Sequence, residues 1–149
     1  MDYRAATTAD LTAILRGLAV RMTDQYTAAG LNIEKVKDEF LMALREGRGH
    51  TLLENGKPVA MIAWREVDHV AQTAFAAHES FFSGATVRFC KKHIRHIQAL
   101  CGNLPIHSYS WSDRPEVVKW FRVLGFKEIE HGKGFMVFEL DPVMTVPNL

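Results

Sequence analysis

The stretch "ESFFSGATVRFCKKHIRHI", positions 79–97, passes from an apolar run through a single glycine into a basic amphipathic segment. Small residues at the start of a helix suit an anion, because orphan N–H groups and the positive end of the helix dipole converge there and a larger side chain blocks the approach. Gly84 and Ala85 supply the small residues, Ser83 and Thr86 hydroxyls, and Arg88 a charge. The plain alternative is that Gly84 only lets a strand turn into a helix. Beyond the glycine, Arg88, Lys91, Lys92 and Arg95 stand at i, i+3, i+4 and i+7 and form one basic stripe. Such a stripe suits a phosphate, an acidic protein surface or RNA, or is simply a solvated face. On the same segment Cys90 and His93 are spaced to offer two metal ligands, but no second cluster completes a set of four, so no metal is expected.

The chain that must position these residues has 149 of them, 48% apolar, which fits one domain over residues 1–149. Eighteen basic against seventeen acidic residues leave a charge of +1, so nothing global directs the chain to nucleic acid or to an anionic membrane. No apolar run approaches the length of a membrane span, and "MDYRAATTAD" lacks the pattern of a signal peptide, so a cytoplasmic protein is expected. Cys90 and Cys101 would lie ~16 Å apart on one helix, too far to bridge, and are expected to be free thiols.

Periodicity gives the element order. "MDYRAAT" reads as a short strand, and Thr7 with Asp10 marks a capped helix start from which Leu11, Ile14, Leu15, Leu18 and Met22 recur at helical spacing, with Gly30 as the stop. Asn32 caps a second helix through Val36, Phe40 and Leu44. Asn55-Gly56 then splits "HTLLENGKPVAMIAWREV" into a hairpin, Asp68-His69 makes the next turn, and "VAQTAFAAHES" is a third strand closed by His78 and Glu79 on opposite faces. The basic helix follows, then a strand in "LPIHSYSW". A helix capped by Asp113, with Pro115 in its first turn, and two strands split by 131–134 complete the chain. The predicted order is β-α-α-β-β-β-α-β-α-β-β, an α/β (α+β) chain with a mixed, mostly antiparallel sheet and about four helices.

That order, with "DRPEVVKWFRVLGFKEIEHGKGFMVFEL" at the end, resembles the GNAT superfamily of N-acetyltransferases. Arg4, Ala6, Thr7 and Asp10 are similar to its early R-x-A-T-x-x-D, and Trp120, Phe121, Leu124, Gly125 and Phe126 fall where its last helix carries aromatics and Gly-Phe. A closer similarity is to short GNAT-like proteins of tailed phages, among them the podovirus internal virion protein A type. The resemblance implies acetyl-CoA as acyl donor, its pyrophosphate at residues 83–86 with Arg88, and an amine as acceptor. It implies a base near the end of the third strand, His78 or Glu79, and an acid for the leaving thiolate. The family's acid is a tyrosine where Phe121 stands, which leaves Tyr109 as the substitute. Phe81 stands at the family's Gln or Arg place, Thr86 at its second small place, and Arg114 at its Asn place. Two readings follow: an acyl-CoA-dependent N-acetyltransferase with a departed pyrophosphate loop, or an inactive module on the same scaffold that binds a host protein in the host cytoplasm or serves in a virion.

Overall fold

Thr7 opens the first helix as its spacing to Asp10 predicts. Its hydroxyl accepts the Asp10 N–H at 3.1 Å, and the Asp10 carboxylate accepts the Thr7 N–H at 3.2 Å. In this computed structural model, which describes residues 1–83 and 86–144, the reciprocal cap joins strand β1 (Asp2–Ala5) to α1 (Thr8–Arg16). The buried Asp10 also accepts from Arg4 on β1 at 2.7 Å and from the Thr51 hydroxyl on β2 (Gly49–Glu54) at 2.8 Å. Burial pushes its carboxyl up, but the bonds from Arg4, Thr51 and Thr7 together outweigh that and hold it below the usual range. Thr7→Ala removes one arm of the cap and is expected to cost about 1 kcal/mol, measured as a lower urea midpoint with unchanged slope.

The periodic run from Leu11 to Met22 predicts one helix, but the chain forms two, α1 and α2 (Val20–Ala28). The break is made by the sheet. Leu18 forms an isolated antiparallel bridge to His78, and the Ala19 N–H donates to the Ala77 carbonyl at 2.9 Å. A Cβ on Gly17 would lie 2.9 Å from the His78 ring, so glycine is what lets the link close against it. The third helix, α3 (Ile33–Arg45), begins as predicted, with the Asn32 side chain accepting the Lys35 N–H at 2.9 Å.

β2, β3 (Lys57–Val67) and β4 (Val70–Ala77) form an antiparallel meander. Both of its turns are the predicted pairs, with Asn55, Gly56, Asp68 and His69 all at positive φ. The third strand stops at Ala77, and residues 79–83 wind into α4 (Glu79–Ser83), which corrects the expectation that His78 and Glu79 alternate across a strand end. Then come α5 (Val87–Leu100), β5 (Ile106–Ser110), α6 (Pro115–Leu124), β6 (Lys127–Gly132) and β7 (Phe135–Leu140). Arg114, not Asp113, is the N-cap of α6 and makes no side-chain cap bond, while Pro115 takes the first helical position as predicted. The described residues thus hold six helices rather than about four, the additions being the split of the first and the short α4.

The sheet order is β1-β2-β3-β4-β5-β7-β6, with β4 and β5 parallel and every other pair antiparallel. Alternation along β3 divides the core: Ala60, Ile62 and Trp64 pack with Ile94 and Ile97 of α5 and Leu124 of α6, and Met61 and Ala63 pack with Leu11 and Ile14 of α1 and Phe40 of α3. Cys90 and Cys101 are free thiols. Among the described residues no helix is long and apolar enough to cross a membrane.

Candidate functional site

β4 and β5 pair only at Ala71↔Ile106 and Gln72↔His107, although β4 continues to Ala77 and β5 to Ser110. One step past the last pair, the Thr73 and Ser108 hydroxyls meet at 2.6 Å, and beyond them the strands part. The residues of β4 that face the gap are fixed by its pairing on the other side. The His78 N–H donates to Val59 on β3, so alternation turns the backbone groups of Thr73, Phe75 and Ala77 toward β5. The parting is held open from α2, whose Tyr26 hydroxyl donates to the Phe75 carbonyl, while the Ala77 carbonyl accepts from Ala19. Burial, with the charge of Glu39 adding to it, pushes the Tyr26 hydroxyl well above the usual tyrosine range, so it stays a neutral donor.

The gap opens into a cleft of about 1180 Å³ lined by Thr73 and Phe75 from β4, Ser108 and Tyr109 from β5, and Thr86 and Trp120 from the flanking helices. At its rim lies the start of α5. Thr86 is the N-cap but makes no side-chain cap bond, and the first intrahelical bond runs from Cys90 N–H to Thr86 carbonyl. Among the described residues no backbone carbonyl accepts from the amides of Val87, Arg88 and Phe89, and the first turn of a helix is the donor set an anion uses.

The residues singled out from sequence take different places. Gly84 and Ala85 lie outside the described residues. The Ser83 hydroxyl donates to the Ser80 carbonyl at 2.9 Å, and Thr86 is buried with its hydroxyl beside the Cys90 thiol. Burial pushes that thiol up to about 11, so Cys90 is uncharged at neutral pH. Arg88 is exposed on the first turn of α5, with Lys91 and Lys92 beyond it, whereas Arg95 donates to Gln98 and to the Asp141 carbonyl. His78 lies under the α1–α2 link with Nε2 3.1 Å from the Ala13 carbonyl, so that nitrogen carries the hydrogen and Nδ1 remains the acceptor. Glu79, at the start of α4, pairs with Arg21 of α2. Tyr109 is 41% exposed on the cleft wall, stacked with Trp111 and Phe135.

Other parts of the site were not singled out from sequence. Tyr26 has only its i+4 spacing from Met22 to mark it, and Arg21 no pattern at all. The Arg21 guanidinium sits 4.2 Å above the Phe82 ring. One turn along α5 from Cys90, His93 meets His50, with His93 Nε2 and His50 Nδ1 at 2.9 Å, and His96 stacks over His50. Among the described residues no group of three His, Cys, Asp or Glu is arranged to hold a metal.

No protein-family model matches the chain, and no curated protein sequence does either. Solved structures do. The chain superposes on the GNAT domain of S. lividans PAT with a TM-score of 0.74 at 12% identity, over 93% of this chain and 89% of that one. It superposes on the ribosomal-protein-S18-alanine N-acetyltransferase of Escherichia coli with a TM-score of 0.71 at 16% identity, over 99% and 97% of the two chains. A third similar structure is the PaiA N-acetyltransferase of Thermoplasma acidophilum, solved in complex with coenzyme A, at TM-score 0.71, 12% identity and 95% and 98% coverage. The fold is that of the GNAT acetyltransferases.

Proposed function

We propose that this chain binds an acyl-coenzyme A in the opening between β4 and β5 and transfers the acyl group to an amine. The observation that carries the proposal is the parting of two parallel strands after two paired residues, beside a 14-residue helix whose first amides lack a side-chain cap. A bound thioester would supply the acyl group and a thiol leaving group. The chain's own part is to place and protonate. The start of α5 with the Arg88 guanidinium faces a diphosphate, and the amides of Phe75 and Ala77, whose carbonyls are taken by Tyr26 and Ala19, align an extended chain beside it. His78 Nδ1 or the Glu79 carboxylate takes the proton of the amine, and the Tyr109 hydroxyl returns one to the departing sulfur.

Calorimetry with acetyl-CoA tests this. Saturable binding between micromolar and millimolar, about 4–8 kcal/mol, is expected. Arg88→Glu should weaken it several-fold without loss of fold, because an acidic residue in the first turn favours the helix by about 0.3–1 kcal/mol while opposing a diphosphate. Absence of binding at millimolar acetyl-CoA by folded protein removes the reading.

A second reading is supported by Phe121 and Phe81. Phe121 stacks on Phe138 at 4.3 Å and 10°, a packing position that donates no proton, and Phe81 is core. On this reading the chain is a phage-derived module that keeps the scaffold and acts by binding a host protein in the cytoplasm or within a virion. A measurable acetylation rate, with no partner recovered from the host, removes it.

A further inference from the structure

Beside the cleft lies a smaller pocket of about 410 Å³, walled by residues 17–21 of the α1–α2 link, by Glu79 and by Arg114. Arg21 and Arg114 also line the large cleft, so the two spaces share a wall made of guanidinium groups. We propose that this pocket receives the carboxylate of the acceptor, an amino acid or a similar amine with a carboxylate near its nitrogen, and holds it while the amine reaches into the cleft; this rests on the acyltransferase reading above.

Four observations point to an anion. The pocket wall itself carries two guanidiniums against one carboxylate, the balancing Asp24 standing outside it on α2. Arg21 is anchored on both sides, by the Phe82 ring under its plane and by Glu79 at Nη2, yet its Nε is buried and makes no hydrogen bond. A guanidinium whose Nε is unpartnered keeps one unused donor in the fork that a carboxylate accepts, reachable once Glu79 moves off the neighbouring Nη2. Arg114 is held only by a loose contact with Asp24 of α2 at 3.7 Å between two well-exposed side chains, so its donors can turn to a ligand at little cost. Finally, the link that forms the pocket floor is fixed to the sheet through Ala19–Ala77 and Leu18–His78, which holds the first turn of α2 and Arg21 in place before any ligand arrives.

The charged groups around the pocket are Arg21, Arg114, Glu79 and Asp24. Glu79 already shows that Arg21 takes a carboxylate, and its own side chain is 62% exposed, free to swing outward when a second carboxylate enters, which leaves His78 as the base for such an acceptor.

The test is NMR of the arginine Nε–Hε groups, titrated with N-acetylglycine, a product-like carboxylate, and with N-acetylglycinamide, its neutral counterpart. Saturable shifts of the Arg21 and Arg114 signals are expected with the carboxylate, at least tenfold weaker with the amide. Arg114→Gln, a change at an exposed side chain, should weaken the carboxylate roughly tenfold, about 1.4 kcal/mol. Equal responses to acid and amide, shifts that follow ionic strength alone, or a carboxylate titration unchanged in Arg114→Gln would each overturn the proposal. Because no acyl donor is present, failure here differs from failure of acetyl-CoA binding. Where acetylation is measurable, kcat/KM should favour glycine over glycinamide in the wild type and lose that preference in Arg114→Gln.

Discussion

Lowering the pH from 7 to 4 is expected to remove about 3 kcal/mol of stability through His93 alone. His93 is 5% exposed, its Nε2 lies 2.9 Å from His50 Nδ1, and Tyr3, His50 and Phe89 crowd its ring. Burial first, then the like charges of His50 and His96, push it down to about 4, against about 6.5 in an unfolded chain. The folded state therefore binds the proton less well. Stability is full above pH 7 and falls as pH drops from 6.5 toward 4, by about 1.4 kcal/mol per unit for a single group. His50 shifts in the same direction from burial and from His96, which deepens the loss. Asp10 acts lower: its contribution is present above its unfolded value near 3.8 and goes only as pH falls further. Urea midpoints at pH 7, 5.5 and 4.5 should descend in the wild type and descend less steeply in His93→Phe, which keeps the His50 share of the loss, corrected for that variant's stability at pH 7. Parallel descent in both would refute the assignment to this pair.

The His50–His93 contact also shows what a one-dimensional pattern conceals. The spacing of Val87, Cys90, Ile94 and Ile97 announces the helix, and His93 falls inside its apolar stripe, but nothing in the sequence says that a histidine 43 positions earlier on β2 closes over it. Most signals carried by adjacent residues survived in the structure, the Thr7–Asp10 cap, the Asn32 cap and the two positive-φ hairpin turns, while the Asp113 cap moved one residue to Arg114. Signals that had to compete with a distant partner did not. The Leu11–Met22 periodicity is real, yet Ala77 and His78 take the backbone of residues 18 and 19 out of the helix. The cleft was legible only as an inference from element order, because the parting of β4 from β5 depends on Tyr26 reaching Phe75 across 49 positions. Arg21 and Arg114 converge for the same reason, through a link that the sequence reads as mid-helix.

Phe81→Ala is expected to destabilise the protein by about 3–5 kcal/mol, the cost of removing a large aromatic ring from a filled core. In the family pattern that residue's place is polar and serves the phosphate loop, and an ordinary loop side chain would cost well under 1 kcal/mol to truncate. The two expectations are far enough apart to separate by a single denaturation curve. Phe81 is 1% exposed and meets Phe75 at 5.2 Å, Phe82 at 5.3 Å and Trp120 at 6.2 Å, joining β4, α4 and α6 beneath the cleft. Phe81→Gln carries the argument to function. A glutamine there buries an amide among rings that offer it no partner, adding about 1–3 kcal/mol of desolvation to the cavity cost. If the acyl-CoA reading holds, the amides of α5 and Arg88 already do the anchoring, and the glutamine should leave acetyl-CoA affinity unimproved in whatever fraction stays folded. A glutamine variant that folds normally and binds acetyl-CoA more tightly would mean the opposite: that this position belongs to the phosphate site, and that its aromatic ring is what had weakened it.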